Sequence, residues 1–309
     1  MIVSSMESNS AGPPARSRSG FVRTFSAIRP LQWAKNLLVF VPIVLAHEMG
    51  DPEKMARVVS VFAAFSLIAS AGYLLNDVRD REFDRTHPVK SRRAIASGEL
   101  GPGVALTLAA LLTVVAMGIA IALGPRIVGW IGGYALLTAG YTFILKRIAI
   151  LDVVALAGAY AMRLLAGGSA SGTEVSEWLL AFSIFVFLSL ALAKRYGDVQ
   201  RRVSEGVSRL AGRAYEAGDL VFLQTAGISS AYLSVLVFAL YLNSEIVRHL
   251  YGNPALLWLI CPILLYWTTR IWLLAHRGQL DEDPILFAVR DPISYLSAAL
   301  IAIVFTVAT

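Results

Sequence analysis

Asn76, Asp80 and Asp84 stand four residues apart in the run Asn76-Asp77-Val78-Arg79-Asp80-Arg81-Glu82-Phe83-Asp84. On an α-helix each step of four advances about 40° beyond a full turn, so the three oxygen-bearing side chains share one face. Asp77 points off that face. Two carboxylates and an amide on one face suit a hard cation with oxygen ligands. Magnesium usually keeps several waters and is shared with substrate phosphates. The spacing therefore predicts a magnesium-bound diphosphate, with Asn76, Asp80 and Asp84 as metal ligands, rather than a metal alone. The competing reading is a solvated helix end whose acids pair with Arg79, Arg81 and Arg85.

Basic residues gather nearby in sequence. Arg85, Lys90, Arg92 and Arg93 are candidate phosphate ligands, arginine in a bidentate manner. They could equally mark a loop on the inner face of a membrane. A second cluster reads Leu192-Ala193-Lys194-Arg195-Tyr196-Gly197-Asp198. Lys194 and Asp198 are four apart and share a helix face, with Arg195 adjacent. Arg163 lies deep in an apolar run, where a charge is costly and usually faces a cavity or a partner. It either neutralises an acid or meets a substrate phosphate. Asp152 follows Lys146-Arg147 and is read as their partner. The run Asp281-Glu282-Asp283-Pro284 reads as a solvated turn capping the final helix. His47 and His249 fall far from both clusters, so no histidine is a candidate base.

The elements that carry these residues follow from composition. The 309 residues are 57% hydrophobic and 16% charged, against roughly 25% charged in a soluble domain. The mean hydropathy of +0.65 agrees. A span needs about 20 mainly apolar residues. Candidates lie near 31–48, 57–75, 103–123, 127–145, 149–169, 177–194, 219–242, 254–275 and 291–308. The fold class expected is all-α, a polytopic membrane protein of about nine transmembrane helices. Residues 1–20 are polar and read as a disordered tail, leaving 21–309 as one transmembrane domain.

Lysine and arginine concentrate in the tail, after the second and sixth spans, in the turn between spans four and five, and near Arg270, Arg277 and Arg290. The opposite side carries only Lys54, Arg57, Arg126 and Arg248. The positive-inside rule then puts the N-terminus and the candidate site in the cytoplasm and the C-terminus outside a plasma membrane. The net charge of +6 suggests anionic lipid contact and no nucleic acid. A homo-oligomer is left open. Gly132-Gly133 and Gly167-Gly168 suit close helix approach. Trp33, Trp130, Trp178 and Trp272 suit interfacial anchoring. Cys261, the single cysteine, excludes a disulfide framework and reads as a small buried hydrophobe. No P-loop, HExxH or GxSxG motif is present.

The NDxxDxxxD run after the second span resembles the first aspartate-rich motif of the UbiA-type prenyltransferase superfamily, and Lys90 through Gly98 resembles the basic stretch that follows it there. Ala94 departs from the proline that many relatives carry. The resemblance covers almost the whole chain and implies a UbiA-type bundle with active-site loops at one face and Mg2+ as cofactor. Aromatic prenyltransferases of the superfamily usually carry a second DxxxD-type motif after span six. Here one acid, Asp198, remains, and Lys194 and Arg195 have arrived. Together with Arg29-Pro30-Leu31-Gln32-Trp33-Ala34-Lys35-Asn36, this run resembles the decaprenyl-phosphate phosphoribosyltransferase subfamily. That resemblance implies transfer of 5-phosphoribose from phosphoribosyl diphosphate to a polyprenyl phosphate. It implies Asp80, Asp84 and Asp198 in catalysis. It implies Lys35, Asn76, Arg85, Lys90, Arg92, Arg93, Lys194, Arg195 and Tyr196 in substrate binding. The alternative is prenyl transfer from a prenyl diphosphate to an aromatic acceptor. A transporter would need more polar residues along its spans.

Overall fold

The computed structural model describes residues 26–86, 90–204, 206, 214–280 and 283–309, and these form a helical bundle. The expected tail 1–20, and His87, Asp281 and Glu282, lie outside the described residues. A 3-10 helix Pro30–Phe40 runs into α1 (Val41–Leu45). There follow α2 (Pro52–Arg79), α3 (Arg81–Arg85), α4 (Pro102–Leu123), α5 (Pro125–Phe143), α6 (Leu151–Ser171) and α7 (Glu177–Ser204). The chain closes with α8 (Leu220–Leu242), α9 (Glu245–Leu250), α10 (Ile260–His276), α11 (Pro284–Ala288) and α12 (Pro292–Ala308).

Proline sets many of these starts. Pro52, Pro102, Pro125, Pro284 and Pro292 each open a helix, where the missing N–H would have no partner anyway. Asp51, Asp283 and Asp291 cap α2, α11 and α12 by accepting from backbone N–H groups of the first turn. Asp291, rather than the Asp281–Asp283 run, thus caps the final helix, and it also holds Arg270 at 2.8 Å.

Among the described residues seven helical segments are long and apolar enough to cross a membrane, while Pro30–Leu45 and Pro292–Ala308 are shorter. Pro30–Leu45 is short in residues more than in reach. A 3-10 helix rises about 2.0 Å per residue, so the segment extends roughly 30 Å. Enclosure differs sharply along the bundle. The apolar stretch of α6 is 67% buried, against 22% for α4. So α6 is the central post, and α4 turns Leu111, Val114 and Ile121 outward. One apolar cluster joins α6 to α7, α8 and α10, and another joins it to α2, α4 and α5.

The 3-10 helix reaches this post because Gly167 has no side chain. A Cβ there would lie 2.0 Å from the Val39 carbonyl oxygen. Gly168 is similarly enclosed, by Val175 and Thr173, whereas Gly132 has open space around it. Three of the four tryptophans expected at the membrane surface also tie neighbouring helices together. Trp33, Trp130 and Trp272 donate to Ser70, Ser169 and Ser189 on neighbouring helices. An indole needs a partner for its N–H when enclosed, and serine on the next helix supplies one. Cys261 is half-buried beside the Leu257 and Ile260 cluster.

The loops sort to two ends. At one end Thr173 donates to Glu48, and the Asn253 N–H donates to the Ala308 carbonyl. At the other end the segments around Arg29, Asp80, Arg93, Thr142, Asp198 and Asp283 surround one cavity.

Candidate active site

The helix that carries the acidic motif does not run straight through it. Asp80 terminates α2 with φ −88° and ψ 7°, and α3 resumes at Arg81. The uninterrupted helix expected from the spacing is therefore broken at its middle acid. The repeat survives the break. The Asp80 N–H donates to the Asn76 carbonyl, and the Asp84 N–H to that of Asp80, both at 2.8 Å. Asn76, Asp80 and Asp84 accordingly line the same cavity, of about 330 Å³.

Their neighbours are not the arginines of their own run. Lys146 Nζ lies 2.8 Å from both Asp80 oxygens and 3.3 Å from the Asn76 amide oxygen. Arg93 donates to Asp84 at 2.7 Å and to Asp77 at 3.1 Å. Asp77 is buried and also takes Arg29 at 2.6 Å, which keeps it away from the cavity face. Arg79 instead stacks on Phe143, and Arg85 pairs with Glu82. Lys146 had been expected to hold Asp152; the turn after α5 aims it at Asp80 instead.

A second pole of charged groups lines the same cavity. It comprises Lys35 from the 3-10 helix, Lys194 and Asp198 from α7, Arg163 from α6, and Asp283. Helix α7 runs ten residues beyond the expected span end, which is how Lys194 and Asp198 present one face. Asp283 bridges Lys35 at 2.7 Å and Lys194 at 3.0 Å with its side chain 10% exposed. Burial opposes its charge, but Lys194 and Lys35 beside it hold the carboxyl well below the usual carboxylate range. The expectation of a solvated turn is corrected at this residue. Its signal was an aspartate directly before proline, a helix start, and α11 packs that start against the 3-10 helix and α7.

Among the described residues Arg163 meets no acid. Its guanidinium donates to Asn36 at 2.7 Å, to the Ala159 carbonyl and to the Tyr134 hydroxyl at 2.8 Å. It also lies over the rings of Phe65, Tyr134 and Tyr160.

Four expected substrate ligands fall outside this cavity. Arg195 is fully buried, bound to Asp152 at 2.5 Å, Asp198 at 3.0 Å and the Tyr141 hydroxyl at 2.7 Å. Tyr215 donates to the other Asp152 oxygen at 2.6 Å. An arginine with that many internal acceptors is a brace, and it steadies Asp198. Tyr196 packs on Trp272 and contacts His276, away from the cavity. Neighbours on a helix point about 100° apart, so Lys194 at the cavity leaves Arg195 and Tyr196 on other faces. Arg85 and Arg92 do not line the cavity either; Arg92 borders an adjoining hollow with Arg29, Lys90 and Arg93. Lys90 and Arg93 line both. Arg29 and Gln32 of the Arg29–Asn36 run, which carried no site role in sequence, and Tyr73 also line the cavity.

The bundle and its charged cavity have counterparts among known proteins. The UbiA prenyltransferase family matches residues 37–305. The chain belongs to this family. The decaprenyl-phosphate phosphoribosyltransferase of Mycolicibacterium smegmatis is 36% identical to it over 240 residues, 76% of this chain and 74% of that protein. The uncharacterised protein y4nM of Sinorhizobium fredii is 38% identical over 284 residues, 92% of this chain. This UbiA-family chain spans only 55% of the length of y4nM. A UbiA homologue of Archaeoglobus fulgidus, solved with GPP and Mg2+, shares the fold with a TM-score of 0.68. The match covers 92% of this chain and 99% of that one at 18% identity.

Proposed function

We propose that this protein transfers the 5-phosphoribosyl group of phosphoribosyl diphosphate to a polyprenyl phosphate and releases diphosphate. The supporting observation is a single cavity lined both by Asn76, Asp80 and Asp84 and by Lys35, Lys194 and Arg163. Phosphoribosyl diphosphate carries a leaving diphosphate and a separate 5-phosphate, and the two poles suit two anionic groups of different kinds. The 36% identity to a phosphoribosyltransferase supports the same reading.

The acidic pole fits a hard cation. Its donors are two carboxylates and an amide oxygen, and a protein cation, Lys146, already sits among them. Among the described residues no three acids, histidines or cysteines converge, so substrate phosphates and water would complete a magnesium shell. Asp80, Asp84 and Asn76 would hold the ion, which when bound neutralises charge on the leaving diphosphate.

The chain's own groups do the rest. Arg93 and Lys90, at the rim of the acidic pole, take phosphate oxygens. Asp198, held by the Arg195 brace, faces the C1 carbon as it gains oxocarbenium character. The acceptor is a phosphate monoester with a second pKa of about 6, largely ionised at pH 7, and needs no general base. In-line attack inverts the anomeric carbon. The reaction belongs at the cytoplasmic face of the plasma membrane. Its product is a lipid-linked phosphosugar of the kind used in cell-wall arabinan synthesis.

One experiment tests the assignment. Purified protein receives Mg2+ with either phosphoribosyl diphosphate plus a polyprenyl phosphate, or a prenyl diphosphate plus an aromatic acid. Diphosphate release in the first mixture is expected. Release in the second mixture alone assigns the chain to prenyl transfer instead.

A further inference from the structure

Lys35 and Lys194 come from segments far apart in sequence, yet both reach one atom. Oδ2 of Asp283 accepts from Lys35 Nζ at 2.7 Å and from Lys194 Nζ at 3.0 Å. Its other oxygen, Oδ1, accepts the Ile285 N–H at 3.2 Å and so caps α11. A single carboxylate oxygen is thus shared by two ammonium groups at the cavity, which Arg163 and Asp198 also line. We propose that Asp283 is a resident counter-anion on a phosphate-monoester subsite made by Lys35 and Lys194, and that a substrate phosphate binds there by displacing this carboxylate. The proposal rests on the cavity's reading as a site for a phosphorylated substrate and names which pole takes the monoester.

The physical case is one of competition for the same donors. A carboxylate with one oxygen committed to a cap offers the lysines one acceptor and a single negative charge. A phosphate monoester offers three oxygens and a charge of about −1.5 to −2 at pH 7. Two ammonium groups within 3.0 Å of one point interact more strongly with the more highly charged group. Until the phosphate arrives, Asp283 offsets the repulsion between two lysines whose side chains are 10% and 34% exposed. The cost of this arrangement is a permanent competitor, so Asp283 sets the affinity of the subsite.

Asp283→Asn separates charge from structure, because asparagine is as good an N-cap as aspartate. The full chain in detergent is titrated calorimetrically with ribose 5-phosphate, a soluble phosphate monoester, and with ribose as the uncharged control. We expect the D283N protein to bind ribose 5-phosphate about tenfold more tightly than the parent, the scale of one close charge pair. Lys35→Met in the D283N background should remove that gain, and ribose should show no difference. Unchanged or weaker binding in D283N, or no binding by either protein, overturns the proposal. Tighter binding without phosphoribosyl transfer rejects the reaction but leaves the subsite standing, whereas transfer with unchanged binding rejects the subsite alone.

Discussion

Asp80 and Lys194 both line the cavity, and each is predicted to be indispensable. Asp80→Ala removes the carboxylate that Lys146 now neutralises, and Lys194→Ala removes a cation from the proposed monoester subsite. Each should lower phosphoribosyl transfer by about 100-fold or more, the scale of losing one aimed electrostatic group. Initial-rate assays on membranes with matched protein levels read this directly. Near-parental rates in both variants would sink the scheme. The Arg195 brace makes a different prediction. Asp152→Ala leaves a fully buried guanidinium with Asp198 still beside it but one carboxylate fewer, and should destabilise the fold by about 1–3 kcal/mol. Pairing it with Arg195→Met removes the under-neutralised buried charge and should restore part of the melting temperature in detergent. If the double variant melts no higher than Asp152→Ala, the brace is not what stabilises this region.

Among the elements, the 3-10 helix is the one most constrained by its neighbour. Runs longer than three or four residues are uncommon because the hydrogen-bond geometry is poorer, yet this one extends over 11 residues. It carries Lys35 and Gln32 to the cavity and Asn36 to Arg163. Close packing on α6 holds it. Gly167→Ala would push a methyl into the Val39 carbonyl and should cost about 1–3 kcal/mol. Gly132→Ala meets nothing within 4 Å and should leave stability unchanged or slightly raised. Thermal unfolding of the two variants side by side checks the pair. Equal melting temperatures would show that α6 and the 3-10 helix can separate without loss.

At the scale of the whole molecule, the bundle's two ends and its pH response can be measured. A cysteine-free background with Cys261→Ser allows single cysteines at Glu99 and Asn253, both exposed and at opposite ends. A membrane-impermeant maleimide applied to intact cells should label position 253 and spare position 99. The reverse pattern inverts the topology and moves the active site outside. The bridge that ties the 3-10 helix, α7 and α11 together through Asp283 is charge-dependent. Its carboxyl lies below its unfolded value of about 4, so the bridge's stabilisation is fully present above that pH and is lost as pH falls through the folded value. Melting temperature should therefore hold from neutral pH down to about 4, and Asp283→Asn should flatten the loss below it.

Local patterns determined much of this protein. A four-residue repeat of Asn76, Asp80 and Asp84, a Lys194–Asp198 pair at helical spacing, and apolar runs of span length all report on chain neighbours. Helix geometry turns such spacing into shared faces with little help from the rest of the fold. The partners of those residues were another matter. Asp283 lies 248 positions from Lys35, Lys146 lies 66 from Asp80, and Asp152 lies 43 from Arg195. No periodicity links such pairs, because each depends on how one helix is turned against the next. Sequence marked the charged groups, and helix packing chose which of them face the cavity and which brace the walls.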